Sequence, residues 1–332
     1  MKVGIPRGLL FYRFYFFWKT FLEELGAEVI TSPPTSRYIV QKGLTYGIEE
    51  ICFPVKVFLG HVLALVDRVD LLFVPRMVSF YPGEYNCPKI LGLPDIVRNL
   101  FHLSPEQIID EEINARNRGM REAEMGLIRL GERFTSNRRK IAQALQKAEK
   151  VHREYRQQLQ SGVLPETLID GKQSLLPKEE KVLLLGHTYL LNDSYINMNV
   201  IEKINQLGYS IVTPDMVPED RIRLFLKKVP KPSFWTISNE ILGTALSYLK
   251  ERDPKVKGLV HLVSFECGPD SLVGELIGRW VKKEEQSLPY LRLEIDEHTG
   301  EAGLVTRLEA FVDMMRWRDS NLESHFSPFA AS

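Results

Sequence analysis

Each of the chain's three cysteines is followed by a proline within two residues: Cys52 by Pro54 in "ICFPVKVFLGHVL", Cys87 by Pro88 in "YNCPKILGLPD", and Cys267 by Pro269 in "FECGPDSLVGELIGR". Proline makes up about 5% of average sequences, so this pattern arises by chance roughly once in a thousand chains. Proline fits the first turn of a helix, where its missing N–H has no partner to lose. The pattern therefore predicts cysteines at three helix mouths. Unpaired N–H groups and the positive end of the helix favour thiolate there, and thiolate is the form that binds metal. The same surroundings suit an anionic iron–sulfur cluster.

The residues alone leave other chemistry open. A lone cysteine is most often a small buried hydrophobe. Structural zinc usually shows close cysteine pairs, which are absent here. A cysteine–histidine catalyst could draw on His61, His187, His261 or His298, although no spacing selects a pair, while His102 and His152 read as surface positions. Near the cysteines, Lys56 and Lys89 could neutralise cluster charge, and Glu266 and Asp270 flank Cys267. Asp270 reads as a helix cap. Candidate catalytic groups are Ser79 and Glu84 in "PRMVSFYPGEY", together with Arg76, and His187 and Tyr189 in "GHTY". Each also has a plain reading as a surface or packing residue.

These residues must be positioned by an alternation of strands and helices. "KVGIP" reads as a strand, "FYRFYFFWKTFLEELG" as a helix ending at Gly26, "AEVITSPP" as a strand, and "SRYIVQKGLTYG" as a helix opened by Ser36. A helix from about Pro54 to Val66 and a strand over 70–80 follow. Residues 104–160 are expected as two helices after a Ser104 cap, forming a solvated hairpin. The rhythm restarts at "KVLLLGHTY" and runs through "GLVHLVSF" and "YLRLEIDE" to a last helix, "EAGLVTRLEAFVDMMRW". The expected fold class is α/β, with two doubly wound parallel-sheet domains and a cleft between them. The expected boundaries are 1–103 for the first domain, 104–180 for a helical insertion and linker, and 181–332 for the second.

Composition narrows the partners. The 332 residues are 44% hydrophobic and 26% charged, with 43 basic and 43 acidic side chains. A net charge of zero gives no field to recruit nucleic acid or an anionic membrane. No apolar run approaches about 18 residues, and no signal region follows the start, so a cytoplasmic protein is expected. Three distant cysteines argue against a secreted disulfide framework.

The stretches "GIPRGLLFYRFYFFWKTFLEELGAEVITSPPTS", "CFPVKVFLGHV", "LFVPRMVSFYPGEYNCPKILGLPD", "LLLGHTYLLNDSYIN", "FECGPDSLVGELIGR" and "DEHTGEAGLVTRLEAFVD" together resemble the acyl-CoA dehydratase activase-related proteins. These are similar to the D-component of 2-hydroxyacyl-CoA dehydratases, to benzoyl-CoA reductase subunits and to double-cubane cluster proteins. The resemblance implies a [4Fe-4S] cluster on Cys52, Cys87 and Cys267, held between the two domains with one iron free of a protein thiol. It also implies low-potential electrons from an ATP-hydrolysing iron–sulfur activator, a small-molecule substrate and a homodimer. No nucleotide-binding motif is present in the chain, so reduction would need an external donor; a non-catalytic cluster carrier is the rival reading.

Overall fold

The computed structural model describes residues 1–283 and 288–325. In order the chain lays down β1 (Lys2–Ile5), α1 (Phe11–Glu24), β2 (Glu28–Thr31), α2 (Arg37–Tyr46), α3 (Phe53–Leu63), β3 (Leu71–Phe73), β4 (Arg76–Ser79), α4 (Pro88–Leu91) and α5 (Leu93–Leu100). Next come β5 (Ile108–Ile109), β6 (Glu112–Asn114), α6 (Met120–Glu132), α7 (Arg138–Gln160) and α8 (Pro165–Asp170). The second half holds β7 (Lys181–Leu185), α9 (Thr188–Leu191), α10 (Val200–Gln206), β8 (Ser210–Val212), α11 (Glu219–Leu226), α12 (Thr236–Glu251), β9 (Val256–Ser264), α13 (Gly268–Lys283), β10 (Tyr290–Ile295) and α14 (Glu301–His325).

The strands form two four-stranded parallel sheets, ordered β2-β1-β3-β5 and β10-β9-β7-β8, plus a parallel pair β4-β6. In both large sheets the chain builds outward in both directions from its first strand, which is the doubly wound arrangement expected. Val3, Leu72, Leu183, Leu184, Leu259 and Val260 are at most 2% exposed, so the short apolar strands are covered by helices as parallel sheets require.

Helix α2 starts where expected, with Ser36 accepting from the N–H of Ile39. It crosses α3 with the backbones touching: a Cβ on Gly43 would lie 1.9 Å from the carbonyl oxygen of Lys56, and one on Gly60 would lie 2.0 Å from that of Ile39. Glycine at both positions allows this approach and fixes the mouth of α3.

Two expectations are corrected. The single strand over 70–80 divides into β3 and β4 in different sheets, because Pro75 between them cannot donate to a ladder. Ser104 and Pro105 open only one 3-10 turn, closed by Gln107 accepting from the N–H of Ser104 at 2.9 Å, and strands β5 and β6 follow. The helices α6 and α7 do form, but not as a solvated hairpin. Ile141, Ala144, Leu145 and Ala148 of α7 are buried, and the hydroxyl of Tyr155 donates to the carbonyl of Tyr12 on α1 at 2.6 Å.

Polar side chains join the two halves. Arg13 on α1 meets Glu240 on α12 in a two-bond pair at 2.7 and 2.8 Å, and Lys56 on α3 meets Glu297 at 2.6 Å. Thr35 bridges Nε2 of His61, 3.0 Å away, to Asp193 beyond α9. Tyr85 exchanges backbone hydrogen bonds with the Phe234–Thr236 segment.

Candidate functional site

In parallel α/β units the helices run back against the strands, so helix mouths gather at the carboxyl edge of the sheet, where ligands bind. Cys52 is the residue before α3, Cys87 the residue before α4, and Cys267 the residue before α13. Proline stands in the first turn of α3 and of α4. In the second sheet the chain leaves β7 for β8 on one side and β9 on the other. The crevice between β7 and β9 is thus a switch point, and His187 lies just past one strand while Cys267 lies just past the other. Glu266 holds φ of +63°, a conformation a non-glycine residue adopts only when its surroundings enforce it. That turn delivers Cys267 to the crevice.

The three cysteine-bearing turns meet. The ammonium of Lys89, in the first turn of α4, donates to the carbonyl of Glu50 at 3.0 Å and to that of Glu266 at 3.3 Å. It therefore ties the Cys87 helix to the loops carrying Cys52 and Cys267. The sulfur of Cys267 lies 3.9 Å from Nδ1 of His187, and that nitrogen is 2.6 Å from the hydroxyl of Tyr189. Burial pushes the Tyr189 hydroxyl far up, and all three thiols add to the shift. His187 and Tyr189 therefore do share the cysteine crevice.

The thiols depart from expectation in one respect. N–H groups of the following helices do bear on them: Val55 on Cys52, Lys89 and Ile90 on Cys87, Asp270 on Cys267. Even so, burial outweighs these donors and raises all three thiols, with Cys87 adding to the rise at Cys52 and both other thiols to that at Cys267. Helix mouths alone do not ionise these cysteines. A cation shared by the sulfurs would favour their thiolate forms, and three cysteines on converging turns are a donor set of the kind an iron–sulfur cluster takes.

Behind Cys267 lies a polar layer that the sequence reading missed in part. Asp270, read as a cap, is fully buried; one oxygen is 3.1 Å from Nε2 of the equally buried His261, and the other has no hydrogen-bond partner. Burial pushes the Asp270 carboxyl up, but His187, His261 and Arg292 more than offset this and hold it below its usual value. Burial lowers His187, opposed by Asp270. Atoms of His187, Cys267 and Asp270 lie within 4.8 Å of one another, close enough to share one cation. The signal for His261 was present: a histidine inside the apolar strand "GLVHLVS" needs a buried partner.

The other candidates have different tasks. Glu84 is buried in a clamp with Arg223 of α11 and with Asn239 of α12 at 2.9 Å. Ser79 donates to the carbonyl of Tyr81 at 2.7 Å, closing a turn. Arg76 grips Asp95 with two bonds and the carbonyl of Leu91, fixing the α4–α5 corner. His102 and His298 are exposed. His152, expected at the surface, is half-buried, with its ring stacked on Phe14.

A family model described as the CoA enzyme activase uncharacterised domain matches residues 2–217. The chain belongs to this family. The match agrees with the activase-related resemblance; it spans Cys52, Cys87, His187 and Tyr189, and ends before Cys267. No curated protein matches the chain. Among the described residues, no helix is long and apolar enough to cross a membrane.

Proposed function

We propose that this activase-family chain holds a [4Fe-4S] cluster on Cys52, Cys87 and Cys267 and receives low-potential electrons from an ATP-hydrolysing activator, for reductive or dehydratase-type chemistry on a small substrate. The observation that carries this reading is Lys89, which ties all three cysteine turns together while N–H groups of three helices bear on the sulfurs. A cluster held by three thiolates offers one iron as Lewis acid or inner-sphere reductant. Lys89 would offset part of its negative charge. His187, kept neutral by burial and in reach of Tyr189, would hold or pass a proton beside Cys267. The homodimer belongs to the same reading.

Anaerobic metal and sulfide analysis with EPR is the test. About four irons and four sulfides per chain support the cluster; reduction that is fast only with activator and MgATP supports the electron route. Equal rates with and without MgATP would leave a plain cluster carrier. A second reading is favoured by the unpartnered Asp270 oxygen: a single divalent ion on His187, Cys267 and Asp270. One colourless metal per chain, lost in Asp270→Asn, would select it.

A further inference from the structure

A cavity of about 610 Å³ lies between α1, β4, α7 and the start of α11. Its volume falls within the roughly 300–1,000 Å³ range of small-molecule sites. Aromatic rings dominate the wall: Phe14, Phe17, Trp18, Phe80 and Tyr81. Met77, Ile113 and Leu127 fill the gaps between them.

The charged groups in this wall are largely spent on one another. Arg13 is paired with Glu240 by two hydrogen bonds, and its guanidinium lies over the rings of Phe14 and Phe80 at 5.5 and 5.0 Å. Arg156 is 3.3 Å from Asp215. Arg153 and Glu149 are exposed on α7 at the rim. His152 is neutral, pushed down to about 4 by burial and then by Arg156 and Arg13, and Tyr81 is pushed up to about 12 by burial. Among the buried groups of the wall, no cation is left to hold a phosphate or carboxylate and no carboxylate to attract an amine; the carboxylates outside those pairs, Glu149 and Glu219, are at the exposed rim.

The cavity also adjoins the cysteine crevice. Glu240, in its wall, acts electrostatically on His187. Asp215, also in its wall, accepts from the hydroxyl of Thr188 at 2.6 Å, and Thr188 neighbours both His187 and Tyr189.

We infer that this cavity binds an uncharged, largely apolar small molecule, and that a phosphate-bearing coenzyme does not enter it. That its occupant is the substrate of the neighbouring site rests on the reading proposed above; binding itself does not.

The test uses one apolar cage with three head groups: 1-adamantanol, 1-adamantanecarboxylate and 1-adamantanamine, with coenzyme A as a fourth probe. Calorimetry at neutral pH, on the full chain both metal-free and anaerobically loaded, gives Kd for each. The alcohol is expected to bind both forms at least about tenfold more tightly than either charged analogue, because a buried charge would go uncompensated. Ala123→Phe fills the cavity, and Met120→Trp narrows its rim from an exposed position, so folding is not at stake in the second variant. Each is expected to weaken the alcohol several-fold. Absent binding of the alcohol, equal or tighter binding of a charged probe or of coenzyme A, or a Kd unchanged by Met120→Trp would overturn the inference. Binding to metal-free protein that takes up no iron would sustain the cavity while the cluster reading fails.

Discussion

The thiol crevice and the aromatic cavity sit side by side, and both are buried, yet they settle their polar groups in opposite ways. In the crevice, three thiols are forced up by burial, and a fully buried Asp270 oxygen has no partner. The cation proposed above would use those donors. Around the cavity, Arg13 closes on Glu240 and Arg156 on Asp215, the charges left over (Glu149, Arg153, Glu219) are at the exposed rim, and the interior wall is mainly rings and aliphatic chains. There the buried charges are paired, and the space asks mainly for apolar volume, with Nδ1 of His152 a buried lining atom left without a partner. Burial alone therefore does not define a site; the difference between the two is whether a buried charge is left without full compensation.

The sharpest way to break this contrast is at the sulfurs. Cys52→Ser, Cys87→Ser and Cys267→Ser are each expected to remove most of the bound iron, measured by anaerobic metal analysis, and to lower the melting temperature of the loaded protein, because ligation couples to folding. Each metal-free variant is compared with the metal-free parent, since a hydroxyl buried in place of a thiol costs about 1–3 kcal/mol on its own. Undiminished iron in all three would remove the crevice from the account.

On the cavity side the complete pair is the target. Arg13→Met strips the partner from a buried Glu240 and is expected to cost about 3–5 kcal/mol in urea unfolding, as breaking buried pairs does. Arg13→Met with Glu240→Leu should recover most of that loss. A double variant no better than the single one would mean that Glu240 is compensated elsewhere.

The two regions also differ in how far they could be read from sequence. Cys52, Cys87 and Cys267 announce themselves because proline marks a helix mouth locally, within two residues. The doubly wound sheets were legible for the same reason: runs such as "KVLLL" and "GLVHLVS" are apolar throughout because both faces are covered. The cavity was not legible. It depends on α7 lying against α1, which turns His152 inward to stack on Phe14, and no local pattern in a charged helix reports the neighbour it will meet. Strands β5 and β6 escaped because two or three residues carry no period. Asp270 escaped because position near a helix start says cap, while its partner His261 is on another element.

The approach of α2 to α3 offers a test on the crevice side alone. Gly43→Ala would press a methyl to 1.9 Å from a Lys56 carbonyl that cannot move without shifting α3. Overpacking of this kind costs about 1–3 kcal/mol. It is expected to lower iron occupancy as well, because α3 presents Cys52, while leaving adamantanol binding within about twofold. Equal damage to both would show that crevice and cavity are one mechanical unit.

The change read over the narrowest range of conditions compares one histidine from each side. Burial, aided by Arg7, pushes His61 down to about 3, and His152 stands at about 4, both from an ordinary 6.5. A histidine depressed in the folded state is protonated first in the unfolded chain. Stability from each is therefore intact above about pH 6.5 and falls as the pH drops below it, by up to about 1.4 kcal/mol per pH unit and histidine. The loss levels off near pH 4 for His152 and near pH 3 for His61. Asp193 works against it at the acid end, since burial raises that carboxyl and its proton favours the folded form. Urea unfolding of the metal-free protein between about pH 7 and pH 5 isolates the histidine part. His152→Phe and His61→Gln are each expected to flatten the slope by close to one proton, although His61→Gln also loses bonds to Ser32 and Thr35 and starts from a lower stability. A slope unchanged in His152→Phe would mean that the ring is hydrated and protonated near its ordinary pH, and with it that the cavity wall is not the neutral surface described.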